Sequence, residues 1–228
     1  MTFIKNAEDI ASLAMHQSNP LLVERFVALI RFLSAYPECA SSLRGKDAPA
    51  LGSEGYIHAA AKNFTHGRDP KRPTPPETIP DEMVSFVLEH YFEVPAESLD
   101  RAKNEHALSM GAENIVGDLL ERYLASILEP QGWIWCSGSL VKAIDFVLPP
   151  REPDLAWQLL QVKNRDNSEN SSSSAIRKGT AIKKWHRTFS RKKGDNWDDF
   201  PDEIAKTKLS ETGFRTFVET YLRKLKTK

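Results

Sequence analysis

The chain has 228 residues, 40% hydrophobic and 27% charged, with 31 Lys and Arg balancing 31 Asp and Glu. This is the composition of a soluble globular protein with a real core, and the lack of any run of 18 apolar residues excludes a membrane-spanning helix. Cys39 and Cys136 match no disulfide framework or zinc spacing, and no secretory segment is visible, so a reduced, cytoplasmic protein is expected.

The first hundred residues read as helical. "LLVERFVALIRFLSAY" sets Leu22, Phe26, Leu29, Ile30 and Leu33 at helical spacing, with Asn19 and Pro20 as a start signal. Thr65–Pro80 is polar and Pro-rich and reads as a loop or ordered arm. "DEMVSFVLEHYF" resumes a helix with Asp81 as N-cap, and helical patterning continues through Ala96–His106. From Gly111, apolar residues at Ile115, Leu119, Leu120, Tyr123, Leu124, Ile127 and Leu128 predict an amphipathic helix ended by Pro130 and Gly132. Three strand-like runs follow: "WIWC" (Trp133–Cys136), "AIDFVL" (Ala143–Leu148) and "WQLLQVK" (Trp157–Lys163). Their short connections predict an antiparallel meander. No further strand is evident until Arg187–Ser190. Trp197 and Phe200 read as a packed loop, and the tail as a helix with Phe214, Phe217, Val218 and Tyr221 inward.

Charge is unevenly spread. Residues 1–132 hold 12 basic and 19 acidic side chains, residues 133–228 hold 19 and 12, and Lys163–Lys193 alone holds ten basic and two acidic ones. Such a stripe suits a phosphate backbone, although a charge run is commonly only a solvated face.

Polar residues then stand out on the elements. Asp145 interrupts an apolar strand, Gln161 and Lys163 project from one face of the next, and Glu113, Gly117 and Glu121 share a helix face. A carboxylate, a carboxamide and an ammonium on buried strands need partners or a purpose. Together they supply a divalent-metal ligand and a cation near an attacking water. The bland reading of Asp145 is a strand-edge acid, of Lys163 a strand-end lysine reaching solvent, and of Glu121 a surface glutamate. The six histidines show no ligand pairing and no Ser–His–Asp set is marked.

The order helix with Glu, strand, strand with Asp, strand ending in x-Lys resembles the PD-(D/E)xK nuclease core. That implies an α/β fold, a central mixed sheet flanked by helices, over 111–228, with a mainly helical N-terminal region over 1–110 that embraces DNA or dimerises. Ile144 stands where proline is common, and Gln161 replaces the usual acid. A closer resemblance rests on "KNRDNSENSSSSAIRKGTAIKKWHRTFS", which is similar to the signature segment of the SinI-type type II restriction endonucleases. It implies Mg²⁺-dependent double-strand cleavage of the near-palindromic site GG(A/T)CC by a homodimer. The partner is double-stranded DNA, and a cognate DNA methyltransferase acts on the same site. By this resemblance Asp145 and Lys163 are catalytic, Gln161 binds metal or a metal-bound water, and Glu121, Glu113 or Glu169 completes the metal set. Segment 164–193 is the recognition segment. Its candidate DNA contacts are Asn164, Arg165, Asn167, Ser168, Glu169, Asn170, Ser171, Ser172, Arg177, Lys178, Thr180, Lys183, Lys184 and Arg187. Among these, Arg165, Arg177 and Arg187 are suited to guanine and Lys183 and Lys184 to phosphates. Ser171–Ser174 leading into "AIRKGTAIKKW" reads as a helix N-terminus, and Trp185 as an anchor on the core. The rivals are a nuclease of repair or mobile elements with the same fold, and a non-catalytic DNA-binding module.

Overall fold

The computed structural model describes residues 2–79, 81–152, 154–166 and 180–227. The N-terminal part holds helices α1 (Ala7–Ser18), α2 (Val23–Ala35), α3 (Glu54–His66) and α4 (Glu82–His90). The 30-residue α5 (Leu99–Leu128) follows, then strands β1 (Ile134–Trp135), β2 (Phe146–Leu148), β3 (Gln158–Arg165) and β4 (Ile182–Thr188). Helices α6 (Glu203–Lys206) and α7 (Glu211–Lys226) close the chain.

The start signals act where their chemistry requires. Asn19 accepts from the Leu21 N–H ahead of α2, and Asp81 accepts from the Met83 N–H at the start of α4, each satisfying a backbone donor that has no helical partner. At the other end of α5, Pro130 and a left-handed Gly132 stop the helix. α5 is longer than its apolar stripe suggests, running unbroken through residues 110 and 111. Its first turns carry no buried side chain, so hydrophobic periodicity alone does not reveal them.

The sheet has the order β1-β2-β3-β4. β1, β2 and β3 form the expected antiparallel meander, with Phe146 opposite Leu160. β4 corrects the expectation that no strand precedes Arg187. It pairs parallel to β3, with Val162 opposite Trp185 and Lys163 opposite His186. Its sequence, IKKWHRT, places only Ile182 and Trp185 in the core, so the cations mask the strand pattern. Ile182–Trp185 is therefore strand rather than part of a helix. A parallel pair needs a crossover of about a dozen residues or more, and 166–181 is that connection.

The two faces of the sheet bury different partners. α1, α2 and α3 pack on one face with Ile134, Val147 and Ile182. α5, α7 and the loop carrying Trp197 and Phe200 pack on the other with Phe146, Leu160, Val162 and Trp185. A loop–helix contact fixes the chain just before Asp145: Gly138, at φ 79°, lies against the Asn63 carbonyl, and Ser137 donates to the Phe64 carbonyl. Only glycine combines that dihedral with so close a backbone approach.

Candidate active site

Asp145 sits immediately before β2 and is still held in the ladder. Its N–H donates to the Leu160 carbonyl, and its carbonyl accepts from the Cys136 N–H. Its carboxylate accepts from the Val162 N–H at 2.6 Å. The acid on one strand is thus tied to the backbone one residue before Lys163 on the next.

Glu121 reaches the same place from α5. Its carboxylate accepts from the Trp135 indole N–H at 2.9 Å. The guanidinium groups of Arg68 and Arg122 lie over that indole, 5.1 and 5.3 Å from the ring centre. Arg122 also bonds Asp118 and the carbonyls of Gly67, Arg68 and Asp69, clamping the start of the Pro-rich arm to α5. Lys71 from that arm pairs with Asp118 at 2.7 Å.

The two carboxylates oppose one another. Burial pushes the Glu121 carboxyl up to about 8, the Asp145 charge adds to that rise, and the Trp135 hydrogen bond only partly opposes it. Burial likewise raises Asp145 to about 6, against the Val162 N–H bond and the Lys163 ammonium. Two acids that cannot comfortably ionise together form a donor set short of positive charge. Among the described residues no three His, Cys, Asp or Glu side chains form a metal-holding group. A cation here would therefore draw its other ligands from amide, water or substrate oxygens.

Beside Glu121 opens a cleft of about 1080 Å³, with Asp145 behind its lining at the Val162 N–H. Glu113, Gly117 and Glu121 line it from α5, and Lys163, Asn164 and Arg165 from β3. Beyond β4 it is walled by Phe189, Lys192 and Lys193, with the Lys192 ammonium 3.7 Å from the Phe189 ring centre. Glu113, Glu121, Lys163 and Arg165, singled out from sequence, share one cavity. Gln161 is 1% exposed, in the interior of β3 opposite Lys184.

Arg187 and Asn164 are engaged within the protein. The Arg187 guanidinium donates to both Glu211 carboxylate oxygens at 2.7 Å and to the Asn164 side chain at 3.0 Å. It also lies over the Phe214 ring. Burial would raise the Glu211 carboxyl, but the Arg187 bonds override this and hold it low. These contacts tie β3 and β4 to α7. Lys183 is exposed, Lys184 and Trp185 alternate along β4, and the Thr180 hydroxyl accepts from the Ile182 N–H. Trp185 is 2% exposed, as an anchor should be. Asn167, Ser168, Glu169, Asn170, Ser171, Ser172, Arg177 and Lys178 lie outside the described residues.

Sequence reasoning missed Trp135 as the support of Glu121, and Lys192 and Lys193 as cleft residues. The "RKKG" run signalled the lysines, whereas the Trp135 contact joins two elements and has no local signature. Trp135→Phe should keep the fold but lose the indole hydrogen bond that favours ionised Glu121. We expect a further rise in the Glu121 pKa. A Glu121 carboxyl titration displaced to higher pH, read by carbon NMR, is the check.

The sequence model of the SinI restriction endonuclease family matches residues 7–224. The chain is 57% identical over 225 residues to the type II restriction enzyme SinI of Salmonella infantis, covering 98% of this chain and 97% of that one. It is 54% identical over 225 residues to the type II restriction enzyme Eco47I of Escherichia coli, with the same coverage of each.

Proposed function

The chain belongs to the SinI restriction endonuclease family of type II, site-specific deoxyribonucleases, and on that premise we propose that it cuts both strands of GG(A/T)CC with Mg²⁺. The observation that carries this reading is one run of β3. Lys163 and Arg165 line the same cleft as Glu121, and Asp145 is hydrogen-bonded to Val162, the residue just before Lys163.

Glu121 and Asp145 fit Mg²⁺, which takes one or two carboxylates and completes its shell with waters and phosphate oxygens. Gln161 would add a carbonyl ligand or hold one of those waters. Bound there, the ion supplies Lewis-acid polarisation of the phosphate, a more acidic water and a stabilised leaving oxygen. The protein supplies the rest. The Lys163 ammonium orients the attacking water and offsets the negative charge that builds at the phosphorus. Trp135 holds Glu121 in place, and the Val162 N–H holds Asp145.

Recognition follows on the same piece of chain. Arg165 and Arg177 are our candidates for guanine edges, since a bidentate arginine fits O6 and N7 and each half-site offers two guanines. Lys183, Lys184, Lys192 and Lys193 suit phosphates. Arg187 and Asn164 hold the end of the sheet that carries these groups. The central pair is read only as A·T, because A·T and T·A present the same acceptors in the minor groove. A twofold site calls for two copies, one per strand, and a methyltransferase of the same specificity would protect host DNA in the cytoplasm.

The test is a set of duplex oligonucleotides with Mg²⁺ or EDTA. A duplex carrying GGACC on one strand, and hence GGTCC on the other, should be cut only with Mg²⁺, and GGGCC spared. Equal cutting of GGGCC would refute the site, and cutting in EDTA would refute the metal.

A further inference from the structure

Residues 81–110 form a helical hairpin of α4 and the first turns of α5, and none of them is buried. The half-buried positions of α4 are Ser85 and Leu88, three apart and so on one face. Its other face carries Met83, Phe86 and Val87, with Val84 at the edge beside Leu88, all four exposed, and Tyr91 78% and Phe92 63% exposed in the turn beyond. Leu108 and Met110 are exposed on α5. A surface helix ordinarily turns its apolar stripe inward, and here the stripe faces out.

These side chains expose roughly 900 Å² together, beyond the ~300–600 Å² of the largest patch on a typical monomer. The figure matches the ~800 Å² that each partner of a standard interface buries. Charge decides against DNA as the occupant: residues 81–110 carry seven acidic and two basic side chains, which a phosphate backbone repels. A second copy is repelled too, but with a Debye length of about 8 Å at physiological salt that cost is small against so much apolar burial. α5 is continuous from this arm into the cleft. Glu121 lies 13 residues past Leu108, about 20 Å along the helix axis.

We propose that this arm packs against the same arm of a second copy, so that four helices bury their apolar faces and one continuous helix links the joint to each cleft. The purpose rests on the reading of a two-strand cut, since α5 would then set the spacing of two active sites. The assembly itself forms without DNA or metal.

Sedimentation of the full chain at about 10 µM, free of DNA and metal, should show a dimer. The double variant Phe86→Glu, Val87→Glu should weaken dimerisation at least about 100-fold, giving a monomer with an unchanged circular dichroism spectrum. A monomeric wild type, or a dimeric variant, would overturn the proposal. Should that variant unfold, Val87→Cys with a flexible bis-maleimide keeps the test open. It should give covalent dimers where Leu21→Cys gives none, and equal yields from both would also overturn it. A dimer that cuts no DNA would defeat only the proposed function, and cleavage by a monomer only the arm.

Discussion

Lys163→Ala and Asp145→Asn should each lower DNA cleavage by at least about 10³-fold while leaving binding of the recognition duplex nearly intact. Lys163 lines the cleft and influences Asp145, so its loss removes the cation proposed to stand beside the water. Asparagine at 145 is the informative change, because its amide oxygen still accepts from the Val162 N–H while the charge is gone. Alanine would strand that N–H and cost about 1–3 kcal/mol of stability, blurring a catalytic loss with a structural one. Binding is read with Ca²⁺ in place of Mg²⁺, and cleavage by single-turnover kinetics. Wild-type cleavage that survives both substitutions would move the active site elsewhere. Their distinction also separates an enzyme from a binding module, the rival that Gln161 in place of an acid invites.

The second large effect is a coupling of metal to protons. Lowering the pH from 8 to 6 should weaken Mg²⁺ binding by about tenfold per unit. In the metal-free protein the Glu121 carboxyl sits at about 8 and Asp145 at about 6, so the pair shares a proton at neutral pH that the ion must displace. The sign for stability follows from the same shifts. Both folded-state values lie above the unfolded ones of about 4, so the native state holds protons that the unfolded chain has released. That contribution is complete below about pH 4 and is lost as the pH rises through 6 and then 8. Metal-free protein should therefore melt a few degrees lower at pH 8.5 than at pH 6, and Mg²⁺ should recover the difference. Titration calorimetry in two buffers of different ionisation enthalpy counts the protons released. Affinity constant between pH 6 and 8, with no proton release, would contradict the assignment.

Much of this was legible in the sequence wherever local pattern and tertiary role coincide. The apolar stripe from Ile115 to Leu128 fixed the core face of α5. Asp145 was conspicuous as a charge in an apolar run, and the spacing of Gln161 and Lys163 followed from the strand repeat. Other features depend on partners distant in sequence. β4 was hidden because IKKWHRT puts only two of its residues in the core and its parallel partner lies across a long crossover. Arg187 is expected at a guanine from its place in the basic segment, whereas Glu211, 24 residues on, holds its guanidinium. The helix 82–90 was plain from its caps, but which of its faces stays uncovered is a property of the assembled chain. The serine run 171–174, and the helix N-terminus expected there, lie outside the described residues.

The most direct measurement is digestion of a mapped plasmid with Mg²⁺, followed by sequencing of every cleavage end. The ends should fall at GG(A/T)CC alone, on both strands, and vanish with Lys163→Ala. Ends scattered over unrelated sequences, or a plasmid left intact by the wild type, would contradict the account.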